Sequence, residues 1–168
     1  MRGCARACVA ITVAVLALAT PALATGGSNI NLLAKLAPEI TRARTGRVAV
    51  LIPTTIHADV AASKLYASGG RTAGGYDIQL AYAPGCEDAT ACFFADFQAG
   101  PTPLLSGTRV TLAHAITGSF VGIHCGASCA PATIAWKESG VLYSVQYVLG
   151  GRATMIAMAD SAIEAGPR

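Results

Sequence analysis

Paired segments in which apolar and polar residues alternate recur along this chain, and glycines mark their turns. The clearest pair spans residues 64–84, where every second residue of YDIQLAY is large and apolar after the turn sequence GGRTAGG. Residues 108–124 alternate on both sides of Gly118, and residues 133–149 turn at Ser139-Gly140. Successive side chains of a strand point to opposite faces, so each segment can bury one face and keep the other wet. We therefore predict three hairpins in one antiparallel sheet.

Helical segments flank this sheet in the sequence. SNINLLAKLAPEITRAR (28–44) predicts a broken helix with Ser28 as N-cap, a restart at Pro38 and Gly46 beyond its end. RATMIAMADSAIEA (152–165) has apolar residues at helical spacing before a Gly-Pro stop, which predicts an amphipathic helix.

Two further segments extend the predicted sheet. RVAVLIP (47–53) ends at a proline and is predicted as an edge strand or first strand, and CFFADFQA (92–99) as another strand. The predicted fold class is α+β, an antiparallel β-sheet of hairpins with a broken N-terminal helix and a C-terminal amphipathic helix packed on one face.

The first 24 residues have the pattern of a secretory signal peptide. Arg2 and Arg6 precede an apolar run, and Ala22-Leu23-Ala24 forms a small-residue cleavage site. We expect a secreted or periplasmic protein with one α+β domain over residues 25–168. The apolar run is shorter than the roughly 20 residues that span a bilayer, and no later segment is long enough, so we expect no membrane span after cleavage.

Charge and composition exclude some classes of partner. The chain has 12 Lys and Arg against 9 Asp and Glu, and removal of Arg2 and Arg6 leaves 10 against 9. These charges are scattered, whereas nucleic-acid binding needs several clustered cations to neutralise phosphates. We therefore expect no nucleic-acid partner. With 53% hydrophobic and 12% charged residues, the composition is that of a compact domain.

Four cysteines follow the signal peptide, and they are Cys86, Cys92, Cys125 and Cys129. An even number of cysteines in an exported chain is typical of disulfides, and four cysteines allow three connectivities. Proximity favours Cys86 with Cys92 and Cys125 with Cys129. A zinc site of four thiolates is the alternative, but the five residues between the first two cysteines fit the usual zinc-knuckle spacing badly.

The hexapeptide HCGASC raises a second metal alternative. His124, Cys125 and Cys129 together suit a soft cuprous ion. Adjacent side chains on a strand diverge, however, and a redox pair would need an electropositive setting such as a helix N-terminus. The disulfide interpretation is favoured, with no resident metal and no cofactor expected.

Catalytic motifs are missing from the sequence. The three histidines, His57, His114 and His124, are not part of a metal-binding helix pair, and no Gly-x-Ser-x-Gly motif occurs. His114 falls on an apolar strand pattern and is predicted to be a core histidine. We predict no catalytic residue, although catalytic residues can also assemble from distant positions.

Two features are candidates for binding. One is the glycine-rich hairpin around Arg71, which lacks the Lys-Ser/Thr pair of a phosphate-binding loop. The other is a set of aromatic residues that could form a contact face or the core, namely Tyr76, Trp136, Tyr143 and Tyr147. The functional hypothesis is non-catalytic binding of an envelope or extracellular ligand. The alternative is an envelope hydrolase, or a copper- or zinc-handling protein that uses His124, Cys125 and Cys129.

Several motifs resemble an uncharacterised family of small secreted bacterial proteins, seen for example in cyanobacteria. The matching segments are TGRVAVLIP (45–53), YDIQLAYAPGCEDATAC (76–92), the CGASC loop, Trp136 and ADSAIEAGPR (159–168). The chain departs from the family at Arg47-Val48, where a Val-Pro pair is common. The C-terminal half is also similar to an extracytoplasmic domain of unknown function in bacterial anchored regulatory proteins. Both resemblances imply export and a fold of this class, and neither implies an activity.

Overall fold

The computed structural model describes residues 27–86, 90–101 and 106–168. The predicted signal peptide, residues 1–24, lies outside the described residues. The strands are β1 (Ser28–Asn31), β2 (Thr55–Ala58), β3 (Tyr66–Arg71), β4 (Tyr76–Ala81), β5 (Phe93–Gly100), β6 (Thr108–Thr111), β7 (Thr117–Val121), β8 (His124–Cys125), β9 (Cys129–Ala130), β10 (Ala132–Glu138) and β11 (Val141–Tyr147). The helices are α1 (Leu32–Lys35), α2 (Ala37–Ala43) and α3 (Arg152–Ala165). None of these three helices has the length and hydropathy that a transmembrane span requires.

Seven strands form the main sheet, in the order β3-β4-β5-β11-β10-β7-β6, and every pairing is antiparallel. The pairs β1-β2 and β8-β9 form two small sheets. The predicted hairpins at 64–84 and 133–149 are present as β3-β4 and β10-β11, and the second turns at Ser139 and Gly140 with positive φ angles of 50° and 84°. The antiparallel sheet with a C-terminal helix confirms the α+β prediction at this level.

One face of the sheet carries the core. Alternate residues of the central strands, such as Ile78, Phe97 and Val145, are buried, and they pack with the apolar sides of the helices in a single cluster. Helix α3 contributes Met155, Met158, Ala159, Ala162 and Ile163. An irregularity in the β4-β5 register turns Phe94 to this face too, where its ring lies edge-on to Tyr147. The C-terminal helix therefore packs on one face of the sheet, as predicted.

The N-terminal helical segment consists of two short helices, α1 and α2, and it begins later than predicted. Ser28 lies in β1, which pairs with β2, and the N-cap is Asn31, whose side chain accepts a hydrogen bond from the Ala34 amide. The break falls at Leu36, and Pro38 lies in the first turn of α2. The prediction of Ser28 as N-cap was wrong because pairing with a strand distant in the sequence takes up residues 28–31.

Residues 47–53 do not form the predicted strand. Val50, Leu51 and Ile52 are buried, yet this segment pairs with no strand among the described residues. Buried backbone groups need hydrogen-bond partners. Here, side chains and the backbone amide of Arg168 supply them. The hydroxyl of Tyr76 accepts from the Leu51 amide at 3.2 Å and donates to the Leu51 carbonyl at 2.8 Å.

Other side chains serve the same extended chain. The Tyr143 hydroxyl donates to the carbonyl of Ala49 at 3.2 Å, and the Tyr147 hydroxyl donates to that of His57. The Arg168 guanidinium donates to the carbonyl of Ile52 at 3.2 Å. Tyr76 and Tyr143 thus hold a segment that has no strand partner among the described residues, while Tyr147 bonds to β2, which pairs with β1.

The second predicted hairpin turns at a different place. Strands β6 and β7 are joined through residues 112–116, and Gly118 lies inside β7. A Cβ at Gly118 would lie 2.8 Å from Leu112 Cδ1, so glycine is needed there for close packing and not for a turn. His114 is in the turn, exposed, with a φ of 55°. Its prediction as a core histidine was wrong, because the alternating pattern does not continue through the turn.

Candidate binding cleft

The sheet face opposite the core carries small and polar side chains. Antiparallel partners point to the same face, so the register defines two rows across the strands. One row runs through Gly70, Asp77, Gln98, Ser144, Ala135, Ser119 and Arg109. The other runs through Ser68, Gln79, Asp96, Gln146, Thr133 and Val121. The two rows place carboxyl and amide groups side by side at the β3-β4-β5 end.

A cleft of about 570 Å³ lies over that end of the two rows. The end of α2 and strands β3, β4 and β5 line it. The lining residues are Arg42, Thr45, Ser68, Gly69, Gly70, Arg71, Thr72, Asp77, Gln79, Asp96 and Gln98. None of these lining residues is aromatic. The cleft therefore suits a ligand that is recognised through hydrogen bonds and charge.

The glycines of the first hairpin explain how an arginine reaches the cleft wall. A Cβ at Gly70 would lie 3.0 Å from the Cβ of Arg42, so the missing side chain lets Arg42 lie across the edge strand. A Cβ at Gly69 would collide with the carbonyl oxygen of Asp77, and its φ is 103°. Arg42 donates from Nε to the Gly69 carbonyl at 3.1 Å and forms an ion pair with Glu39 at 2.9 Å. Its guanidinium is thus already partnered.

Arg71 is the second guanidinium at the cleft, at the end of β3. Its stem passes Gly46, where an added Cβ would lie 3.7 Å from Arg71 Cγ. The side chain is exposed, and its guanidinium has no hydrogen bond or ion pair with any residue in the described ranges. Of the two arginines, Arg71 is therefore the one free to meet a ligand.

Two carboxyl groups face each other at the cleft floor. Asp96 is 6% exposed, and its Oδ1 has no hydrogen-bond partner within the described part of the chain. Asp77, on the neighbouring strand, accepts a hydrogen bond at Oδ2 from Gln98 Nε2 at 3.2 Å. Burial, and then the neighbouring charge of Asp77, raise the pKa of Asp96 to about 8. Near neutral pH, Asp96 therefore holds a proton.

The residues predicted for binding are divided between cleft and core. Arg71 lines the cleft. Tyr76, Trp136, Tyr143 and Tyr147 are between 0% and 3% exposed and lie on the covered face of the sheet. These four rings form core and not an exposed contact face, because helices and residues 48–53 cover them. Burial also raises the pKa of Tyr147 to about 12.

The four cysteines form the two disulfides that proximity favoured. Cys86 bonds to Cys92 with their Cα atoms 6.1 Å apart, and Cys125 bonds to Cys129 with their Cα atoms 4.0 Å apart. The second bond closes the β8-β9 hairpin, and exposed His124 Nδ1 lies 3.3 Å from the Gly122 carbonyl. Cys125 and Cys129 thus offer no thiolate to copper in this state. Across the described residues, no group of three or more His, Cys, Asp or Glu side chains could hold a metal ion.

Sequence reasoning missed the carboxyl pair. Asp77 and Asp96 lie at polar positions of YDIQLA and FFADFQAG, and in each strand a glutamine follows two residues later. A sequence signal was therefore present, because each of these otherwise apolar strands carries a carboxyl and an amide group on the same face. What the sequence could not supply is the register that places the two strands side by side.

Comparisons with models of protein families, with curated proteins and with solved structures give no match to this chain. The interpretation of the cleft thus depends on its own side chains. A buried carboxyl, a partnered carboxylate, two amides and a free guanidinium can hold hydrogen-bond donors at the floor and an anionic group at the rim.

Proposed function

We propose that this chain is exported through its leader and that residues 25–168 form a single disulfide-stabilised domain that binds a small polar ligand in the cleft without altering it. Disulfides persist in oxidising compartments, which supports a secreted or periplasmic location. Membership of the uncharacterised family of small secreted bacterial proteins is part of the same proposal.

The unpartnered Oδ1 of Asp96 carries the binding half of this proposal. A buried polar atom without a partner costs roughly 1 to 3 kcal/mol, so folded proteins retain few of them. Asp96 lines the cleft, and because its Oδ1 is shielded from solvent, the carboxyl group must turn toward the cleft for a ligand group to bond to this atom. A ligand group that bonds to it would offset that cost, and this is the thermodynamic basis for binding here.

Binding can be tested with a mixed library of amino acids, amines, sugars, organic acids and inorganic phosphate. We expect saturation-transfer NMR to detect at least one compound class on the wild-type protein. The signal should be lost in Arg71→Ala and kept in Arg109→Ala, because Arg109 is an exposed arginine of the same sheet face on the opposite edge strand. Its substitution removes the same charge far from the cleft.

Two outcomes would overturn the binding proposal. One is the absence of any signal, or a signal that Arg71→Ala leaves unchanged. The other is turnover, since new resonances that accumulate during a long incubation of the bound compound would indicate the hydrolase alternative. Neither outcome depends on knowing the ligand beforehand.

Export is tested by expressing the full chain in a bacterial host and recovering it from periplasm and medium. The intact mass should correspond to residues 25–168. A thiol titration should find no free thiol before reduction, because all four remaining cysteines are paired. A variant without residues 2–24 is the control and should stay in the reducing cytoplasm. Recovery of the full-length mass, or of free thiols in the exported protein, would contradict the proposal.

A further inference from the structure

We propose that the cleft recognises a small zwitterion of the amino-acid type, with its ammonium group on the Asp77–Asp96 carboxyl pair and its carboxylate on Arg71. This inference deepens the proposed function and rests on it. It assigns a ligand class to the cleft from the positions of its charged groups, with the carboxyl pair at the floor and Arg71 at the rim.

The carboxyl pair is suited to an ammonium group. Asp77 and Asp96 lie on the same face of neighbouring strands, and Asp96 Oδ1 is an unused, buried acceptor. The amide nitrogen of Gln98 donates to Asp77, the Gln98 side chain also hydrogen-bonds to Asp96, and Gln98 Oε1 is a third acceptor. An ammonium group has three donors and no acceptor, so it can bond to as many as three oxygens of these side chains at once. A neutral hydroxyl group has one donor and cannot.

The proton balance of the pair points to a cation as well. Two adjacent carboxyls in a buried site cannot both ionise freely, and the raised pKa of Asp96 expresses this repulsion together with desolvation. A bound ammonium replaces the shared proton, and the proton leaves to solvent. The titratable groups that interact with Asp96 are Asp77 on β4 and, from the covered face, Tyr76, while the cations Arg42 and Arg71 line the same cleft.

The rim supplies the second half of the recognition. Arg42 is occupied by Glu39 and the Gly69 carbonyl, whereas Arg71 has no partner among the described residues and lines the same cleft. A guanidinium binds a carboxylate through two parallel hydrogen bonds. The volume of about 570 Å³ accommodates an amino acid or a short peptide-like molecule.

Titration calorimetry on the intact mature domain with chosen probes tests this inference. The probes are glycine, L-serine and L-glutamine as zwitterions, ethanolamine without the carboxylate, glycolate without the amine, calcium ion, and glucose as a neutral polyol. We expect at least one zwitterion to bind and the two half-molecules to bind at least about tenfold more weakly. Asp77→Asn and Arg71→Ala should each lower the affinity at least about tenfold, while Arg109→Ala retains it.

The pH dependence separates an ammonium from a neutral ligand. Because binding displaces a proton from the pair, the affinity for the zwitterion should rise by up to about tenfold per pH unit between about pH 6 and pH 8, and then level off. Below about pH 6, calorimetry in buffers of different ionisation enthalpy should show that binding of the zwitterion releases close to one proton. A polyol that uses the protonated carboxyl as donor would show the opposite trend.

Failure of this inference can be told from failure of the proposed function. Binding of glucose, glycolate or calcium ion that needs no amine, or an affinity that falls as pH rises, would overturn the zwitterion assignment. If binding of such a ligand is lost in Arg71→Ala and retained in Arg109→Ala, the cleft is still a binding site. If no probe and no library compound binds, both proposals fail.

Discussion

The wild-type protein is expected to lose about 3 to 4 kcal/mol of unfolding free energy between about pH 5 and pH 8, and Asp96→Asn should abolish most of that loss. The cause is the pKa of Asp96, raised from 3.8 to about 8 in the folded state. Between these two values, the folded state holds a proton that the unfolded state has released. Stability therefore falls as pH rises through this window and levels off above it.

The measurement is a set of urea unfolding curves at several pH values, kept below about pH 9 because unfolded tyrosines begin to ionise near pH 10. Asp59→Asn is the matched control, since Asp59 is an exposed aspartate that bonds only to the Tyr82 hydroxyl among the described residues. Its curve should keep the wild-type slope against pH. Parallel slopes for the wild-type protein and Asp96→Asn would show that Asp96 does not hold the proton.

Tyr76→Phe should cost about 2 to 6 kcal/mol of unfolding free energy, although it removes a single oxygen. The Tyr76 hydroxyl accepts from the amide and donates to the carbonyl of Leu51, in a segment that has no strand partner. Phenylalanine would leave both backbone groups buried and unpaired, and each such group costs roughly 1 to 3 kcal/mol. The measurement is the midpoint and slope of guanidinium unfolding at about pH 6.

Tyr66→Phe is the control for that substitution. Tyr66 begins the edge strand β3, is 45% exposed, and its hydroxyl makes no hydrogen bond within the described ranges. We expect its unfolding free energy to change by less than about 0.5 kcal/mol, as for an ordinary surface position. Equal stability of the two variants would mean that water replaces the Tyr76 hydroxyl at Leu51, and that the buried segment is more open than the structure indicates.

The carboxyl pair and the hydrogen bonds of Tyr76 to Leu51 both depend on how the two faces of the sheet are oriented. The inner face of β4 carries Tyr76 toward residues 48–53, and the outer face of the same strand carries Asp77 into the cleft. A register slip of one residue would exchange these faces. The anchoring of the buried segment therefore also helps to fix the geometry of the cleft.

Local periodicity was enough to predict several parts of this protein. The alternation in residues 64–84 and 133–149 predicted two hairpins, although Gly69, Gly70 and Arg71 of the predicted first turn lie in β3, and the spacing in residues 152–165 predicted α3. The disulfide pairing followed from proximity along the chain. These features depend on neighbouring residues only, because strand alternation, helix spacing and short covalent loops are local.

Other features were decided only by the tertiary structure. Residues 47–53 look like a strand but pair with none, and their residues 50–53 lie buried beneath side chains from the sheet, while Gly118 looks like a turn but permits close packing inside β7. Asp77 and Asp96 lie 19 residues apart in the chain, and only the β4-β5 register joins them. Pairing register and burial depend on contacts between distant segments. Local sequence thus determined two hairpins, helix α3 and the disulfides, while long-range packing decided the remaining elements and where the carboxyl pair and its cleft lie.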